Sequence, residues 1–119
     1  MRIAPPEAPS TGYNFGKGAY FADLSGKSNG YSCPYLSGGI GLFVVCEVAL
    51  GKSQKFSNPQ YNAATLPSGI HSTHALGYQH PDPAGSQIVD GDVEVPMGKV
   101  IDFQQNGMGA NEFIVYNTN

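Results

Sequence analysis

The run at residues 40–50, Ile-Gly-Leu-Phe-Val-Val-Cys-Glu-Val-Ala-Leu, constrains this chain more than any other stretch. Its β-branched and aromatic residues favour pleated backbone, and a nearly continuous apolar run fits a strand covered on both faces. The run therefore predicts a central strand, ended by Gly51. Such a strand needs neighbours, and the rest of the chain is punctuated for sheet rather than for helix. With 16 glycines and 9 prolines in 119 residues, little uninterrupted helix can form, and an all-helical bundle does not fit.

Shorter elements follow from local pattern. Residues 18–22 (Gly-Ala-Tyr-Phe-Ala) read as a buried strand. Residues 111–116 read as a final strand with Glu112, Ile114 and Tyr116 on one face. Short strands are expected at 87–89 and 93–95. Between the first two strands, Asp23 is a candidate N-cap for a helix on which Leu24, Ser28 and Tyr31 share a face. Gly26 and Gly30 weaken that helix by roughly 1 kcal/mol each, so tertiary contacts must hold it. Residues 1–17 read as ordered loop, 52–70 as a polar excursion, and His80-Pro81-Asp82-Pro83 as a stiff extended linker. No internal repeat or domain boundary interrupts the chain, whose length suits one domain or part of one.

A formal net charge of -3 leaves no basic stripe for nucleic acid. No run approaches the ~18 apolar residues of a membrane span, and the N-terminus lacks the apolar core of a secretory signal. Two cysteines are too few for a disulfide framework, so a reduced, intracellular setting is expected.

Several motif fragments carry no chemistry. Gly26-Lys27-Ser28 and Gly51-Lys52-Ser53 resemble the tail of a phosphate-binding loop, but the glycine required five positions earlier is Phe21 in one and Cys46 in the other. Gly16-Lys17-Gly18 precedes a strand where a dinucleotide fingerprint follows one. His71, His74 and His80 lack metal-ligand spacing, so no metal is expected. Asp92 and Glu94 fit a solvated strand edge.

Two features remain. Ser28 and Tyr31 present a hydroxyl and a flat ring from one helix side, and Tyr20 could add a second ring. That set suits a small planar amide, and equally a tyrosine-lined core whose hydroxyls are satisfied locally. Glu112 is a lone carboxylate in an apolar strand, which fits either a functional acid or an exposed edge.

The segments Arg2-Ile3-Ala4-Pro5-Pro6-Glu7-Ala8-Pro9, Thr11-Gly12-Tyr13, Phe15 to Asp23 and Lys27-Ser28 resemble the donor-site region of poly(ADP-ribose) polymerase catalytic domains. Gly41-Leu42, Glu47 to Gly51, Gly69, His71-Ser72, Leu76-Gly77 and Asn111-Glu112 with Ile114-Val115-Tyr116 continue the likeness, which is to the nuclear, DNA-damage-responsive members. The resemblance implies an α+β architecture, mainly antiparallel, with one short helix. It implies NAD as a consumed substrate rather than a resident cofactor, transfer of ADP-ribose to protein or ADP-ribose acceptors, nuclear localisation, and DNA contact only through other domains.

By position, Tyr20 corresponds to the tyrosine of the family's His-Tyr-Glu signature and Glu112 to its catalytic glutamate, with Lys27 lining the site. Tyr31 corresponds to the ring that stacks on nicotinamide and Ser28 to the serine that bonds its carboxamide. Arg2 matches an arginine near the adenosine ribose, Tyr13 belongs to the loop over the cofactor, and Gly18 falls with the cofactor-binding residues. The signature's His-Gly pair is not among the three histidines here. Residues 1–119 are therefore expected to be a partial, incomplete catalytic domain, weak or inactive alone. The alternative is a non-catalytic NAD or ADP-ribose binding module. Ala110, in place of an aromatic, and Asn14, in place of a methionine, bear on chain elongation and branching.

Overall fold

A computed structural model describes Glu7 and residues 12–102 and 107–117. In chain order the elements are β1 (Ala19–Phe21), α1 (Ser25–Ser32), β2 (Ser53–Phe56), β3 (Ser72–Ala75), β4 (Gly77–Pro81), β5 (Gln87–Val89), β6 (Val93–Val95), β7 (Val100–Asp102), β8 (Met108–Ala110) and β9 (Glu112–Val115). Short 3-10 turns occupy Pro34–Leu36 and Pro83–Gly85.

Four strands form one sheet in the order β1-β9-β3-β2, with β9 antiparallel to both neighbours and β2 parallel to β3. A second sheet, β7-β4-β8, pairs β4 antiparallel to β7 and parallel to β8. β5 and β6 make an isolated antiparallel hairpin. The architecture is α+β, with more antiparallel than parallel pairing and a single α-helix among the described residues, as the sequence led us to expect.

The core is small and lies on one face of the first sheet. Phe15, Ala63, Ala75 and Ile114 are buried there, with Tyr20, Phe56, Met108 and Tyr116 packed around them. Register explains the choice of residues. Tyr20 sits opposite Ile114 across β1 and β9, and Thr73 sits opposite Ile114 across β3 and β9, so the alternate positions of all three strands share this face. Tyr116 locks the layer: its hydroxyl donates to the Phe15 carbonyl at 2.7 Å and lies 2.9 Å from Thr73 Oγ1. Gly18 is a glycine for packing reasons. A Cβ there would fall 2.5 Å from Ile114 Cγ2 and 2.8 Å from the Val115 carbonyl.

Four sequence expectations need correction. Residues 40–50 form no strand; they run without regular structure, and Val45 is 98% exposed. Side-chain pattern gives a segment the propensity for pleated backbone, but a strand exists only where a neighbour accepts its hydrogen bonds, and no described strand runs alongside. The polar excursion at 52–70 contains β2, whose two-faced polar sequence is stabilised by pairing with β3. Here Ser53 Oγ lies 2.6 Å from Ser72 Oγ, and Gln54 donates to Thr73 Oγ1 at 2.9 Å. The linker at His80-Pro81 is the end of β4, the middle strand of its sheet, with Pro81 at the last position, where a missing N–H does least harm. Finally, Asp23 does not cap α1. The N-cap is Leu24, which has no side-chain acceptor, and the Asp23 carboxylate turns toward β9 instead.

Candidate active site

Glu112 opens β9, and its neighbours follow from the register. It lies on the same face as Ile114 and Tyr20, opposite the small Ala75 of β3, and is only 6% exposed. A carboxylate so placed needs a counter-charge or dense hydrogen bonding, since burial of an unpaired ion is far costlier than burial of any neutral group. Lys27 supplies the counter-charge: its Nζ stands 2.5 Å from Glu112 Oε1. The pair also explains how a helix such as α1 survives. That helix contains two glycines, has no buried residue and no side-chain cap, and ends at Cys33 in the left-handed region (φ 48°) before Pro34. The ion pair tethers it to the sheet.

Tyr20 borders the same space. Its hydroxyl donates to the Gly16 carbonyl at 2.7 Å and accepts from the Phe15 N–H at 3.0 Å, pinning the turn at 13–16 to β1. Burial drives its ionisation well above the ordinary tyrosine range. The charges of Tyr116, Glu112 and Tyr13 add to that, and the Phe15 hydrogen bond opposes it. Tyr13 meets Tyr20 ring to ring, centroids 5.9 Å apart and tilted by 53°.

The structure thus brings Tyr20, Lys27 and Glu112 into one cluster, with Tyr13 against Tyr20. Ser28 and Tyr31 are on α1 beside Lys27, Ser28 half-buried and Tyr31 74% exposed, and no ring contact joins Tyr31 to Tyr20. Gly18 has the packing role against β9 described above. Arg2 lies outside the described residues.

A supporting link was missed in the sequence. Asn111, one residue before Glu112, is 8% exposed; it donates from Nδ2 to Asp23 Oδ2 at 2.7 Å and accepts from the Gly77 N–H at 2.8 Å. It ties the β1–α1 connection, β4 and the start of β9 to one point, and thereby fixes where β9 begins and where Glu112 points. Gly77 must be a glycine for this, because a Cβ there would sit 2.2 Å from the Asn111 nitrogen. The Asn-Glu pair at a strand start was the only signal available.

The model of the poly(ADP-ribose) polymerase catalytic domain matches residues 1–119. The chain belongs to that family. Relatives are similar throughout: poly [ADP-ribose] polymerase 2-A of Oryza sativa subsp. japonica is 46% identical over 98% of this chain, and poly [ADP-ribose] polymerase 1 of Gallus gallus is 47% identical over 98%. Poly [ADP-ribose] polymerase 2 of Arabidopsis thaliana is 45% identical over the same share. The chain spans 18%, 12% and 19% of those three proteins, so less than a fifth of each is represented here. Among the described residues, no helix is long and apolar enough to cross a membrane.

Proposed function

We propose that this chain carries the donor-site surface of an NAD-dependent ADP-ribosyltransferase, with NAD as consumed substrate and hydroxyl or carboxylate groups of proteins, or of ADP-ribose itself, as acceptors. The observation that carries the reading is the buried Glu112 carboxylate, paired with Lys27 and bordered by Tyr20. In the reaction, the bond from the ribose anomeric carbon to the nicotinamide nitrogen breaks. A new bond forms from that carbon to an acceptor oxygen, nicotinamide leaves, and a hydroxyl acceptor gives up its proton.

Positive charge develops on the sugar ring as the bond breaks, and a fixed carboxylate stabilises such an oxocarbenium-like state. Glu112 is suited to that task and to polarising an incoming hydroxyl, since its lone pairs are held by β9 rather than by a flexible loop. Lys27 pairs with the carboxylate and orients it. Tyr20, Tyr31 and Ser28 would hold the nicotinamide by its ring faces and carboxamide, and Tyr13 would close over the cofactor with Arg2 at the adenosine end. Tyr31 is exposed on α1, so it would become covered only when the ligand stacks on it. Ala110, buried at the end of β8, lines an open cleft with Lys27, Gly109 and Gln79, where an acceptor would approach. The likeness to nuclear relatives extends this reading to a nuclear setting, and residues 1–119 are proposed to be part of the catalytic domain.

The test is NAD carrying separate labels in its two halves, supplied to the native gene product. The proposal expects the ADP-ribose label on macromolecular acceptor and the nicotinamide label free in equal amounts. NAD bound but recovered intact would mean a binding module without turnover, and would overturn the enzyme reading.

A further inference from the structure

The candidate site is assembled from two separate segments. Tyr20, Ser28 and Tyr31, the groups proposed to hold nicotinamide, belong to β1 and α1, whereas Glu112 opens β9. Transfer needs both segments in one fixed relation. β1 and β9 pair antiparallel from Ala19–Val115 to Phe21–Phe113, and there the ladder stops. Continued in the same register, it would set Asp23 opposite Asn111. A side-chain bond takes over at that point: Asn111 Nδ2 donates to Asp23 Oδ2 at 2.7 Å. The same amide is anchored on its other side, where its oxygen accepts from the Gly77 N–H at 2.8 Å.

The bond matters because little else holds α1. The helix buries no residue, and its one ion pair to β9, from Lys27, ends on the carboxylate that the reaction would use. A substrate hydroxyl that engages Glu112 competes with Lys27 for those lone pairs. The Asp23–Asn111 bond joins the same two segments without using a reacting atom. It lies just before α1 on one side and beside Glu112 on the other, and its acceptor is a carboxylate, which makes it one of the stronger kinds of hydrogen bond.

We propose that Asp23 and Asn111 are positioning residues that set the nicotinamide-binding segment against the Glu112 carboxylate, and so govern the rate of transfer rather than the affinity for NAD. The inference rests on the ADP-ribosyltransferase reading. Loss of the bond leaves Tyr20 in its ladder with β9 and Ser28 and Tyr31 together on one helix, so the nicotinamide contacts persist. What changes is the placement of the ribose carbon relative to Glu112, and a misplacement of about 1 Å can cost roughly 100-fold in rate.

The test compares the native gene product with three variants in transfer from labelled NAD, with nicotinamide binding and urea unfolding measured on the same proteins. Asp23→Ala removes the acceptor and leaves β9 untouched. Asn111→Asp sets two carboxylates against each other. In the double variant Asp23→Asn with Asn111→Asp, donor and acceptor change places: the amide at position 23 donates to the carboxylate at position 111, whose second oxygen still accepts from Gly77. Asp23→Ala and Asn111→Asp should each lower kcat about tenfold or more, with KM for NAD and nicotinamide binding within about threefold of the original. The double variant should recover kcat to within a few-fold. An unchanged kcat in Asp23→Ala, a loss carried by KM, or a double variant that regains the unfolding midpoint without regaining kcat would each overturn the positioning role and leave the transferase reading standing. If Asn111→Asp does not fold, Asp23→Ala decides alone. An unmodified protein that binds NAD without transferring ADP-ribose would overturn the transferase reading itself, and the positioning role with it.

Discussion

Removing the Lys27 ammonium should destabilise the chain more than neutralising its partner does. The two side chains are unequally placed, Lys27 being 23% exposed and Glu112 8%. In Lys27→Met the Glu112 carboxylate stays where β9 puts it, buried and unpaired. Breaking a fully buried pair from one side costs about 3–5 kcal/mol. Water reaches the Lys27 end here, so roughly 1–3 kcal/mol is expected for Lys27→Met. In Glu112→Gln the freed ammonium can swing into solvent and the amide preserves shape, so the loss should be about 1 kcal/mol or less. The double variant should recover part of the Lys27→Met loss, since its interior then holds no charge. Urea unfolding of the four proteins, analysed as a double-mutant cycle, measures this directly. Equal losses in the two single variants, or strict additivity in the double, would refute the view that a buried carboxylate is held by a partly solvated lysine.

Other outcomes follow from the same geometry. Gly18→Ala should cost about 1–3 kcal/mol in denaturant unfolding, because its Cβ meets Ile114 and the Val115 carbonyl. His74, whose neutral form burial favours, gives stability that is present above the unfolded imidazole value of about 6.5 and lost as pH falls through its lower folded value. His74→Phe should therefore flatten the loss of stability in mild acid, and an NMR titration of the ring should show a midpoint below that of a free imidazole. Tyr20, raised in the fold, contributes stability present below about pH 10 and lost above it, so Tyr20→Phe should flatten the alkaline limb of the unfolding profile. Val45→Lys should reduce self-association of the isolated chain, seen by sedimentation, without lowering its unfolding midpoint, because Val45 is almost wholly exposed.

The sequence was most legible where chemistry is local. The alternation of Glu112, Ile114 and Tyr116 placed the three on one face of β9, and the short strands expected at 87–89 and 93–95 are β5 and β6, joined through Asp90 and Gly91 at positive φ. Tyr20 and Glu112 could be read as possible neighbours only through family likeness, because a separation of 92 positions carries no periodic signal. What misled was propensity without a partner. Residues 40–50 have the best strand composition in the chain and no described strand beside them, whereas β2 has a poor composition and a parallel neighbour in β3. Asp23 misled for the same reason: a carboxylate before a helix usually caps it, but here Asn111, 88 positions later, offers the better hydrogen bond. The Lys27–Glu112 contact and the His74–Phe113 stack were likewise invisible, since both depend on register between distant segments.

Glu112→Gln in the native gene product tests the central claim most directly, with transfer of labelled ADP-ribose from NAD and binding of nicotinamide followed side by side. The account predicts that transfer falls by about 100-fold or more, the loss expected when a preorganised charge is removed from a developing cation, while nicotinamide binding stays within a few-fold of the original. Transfer that survives the substitution at comparable rate would contradict the assignment of Glu112 and the function built on it.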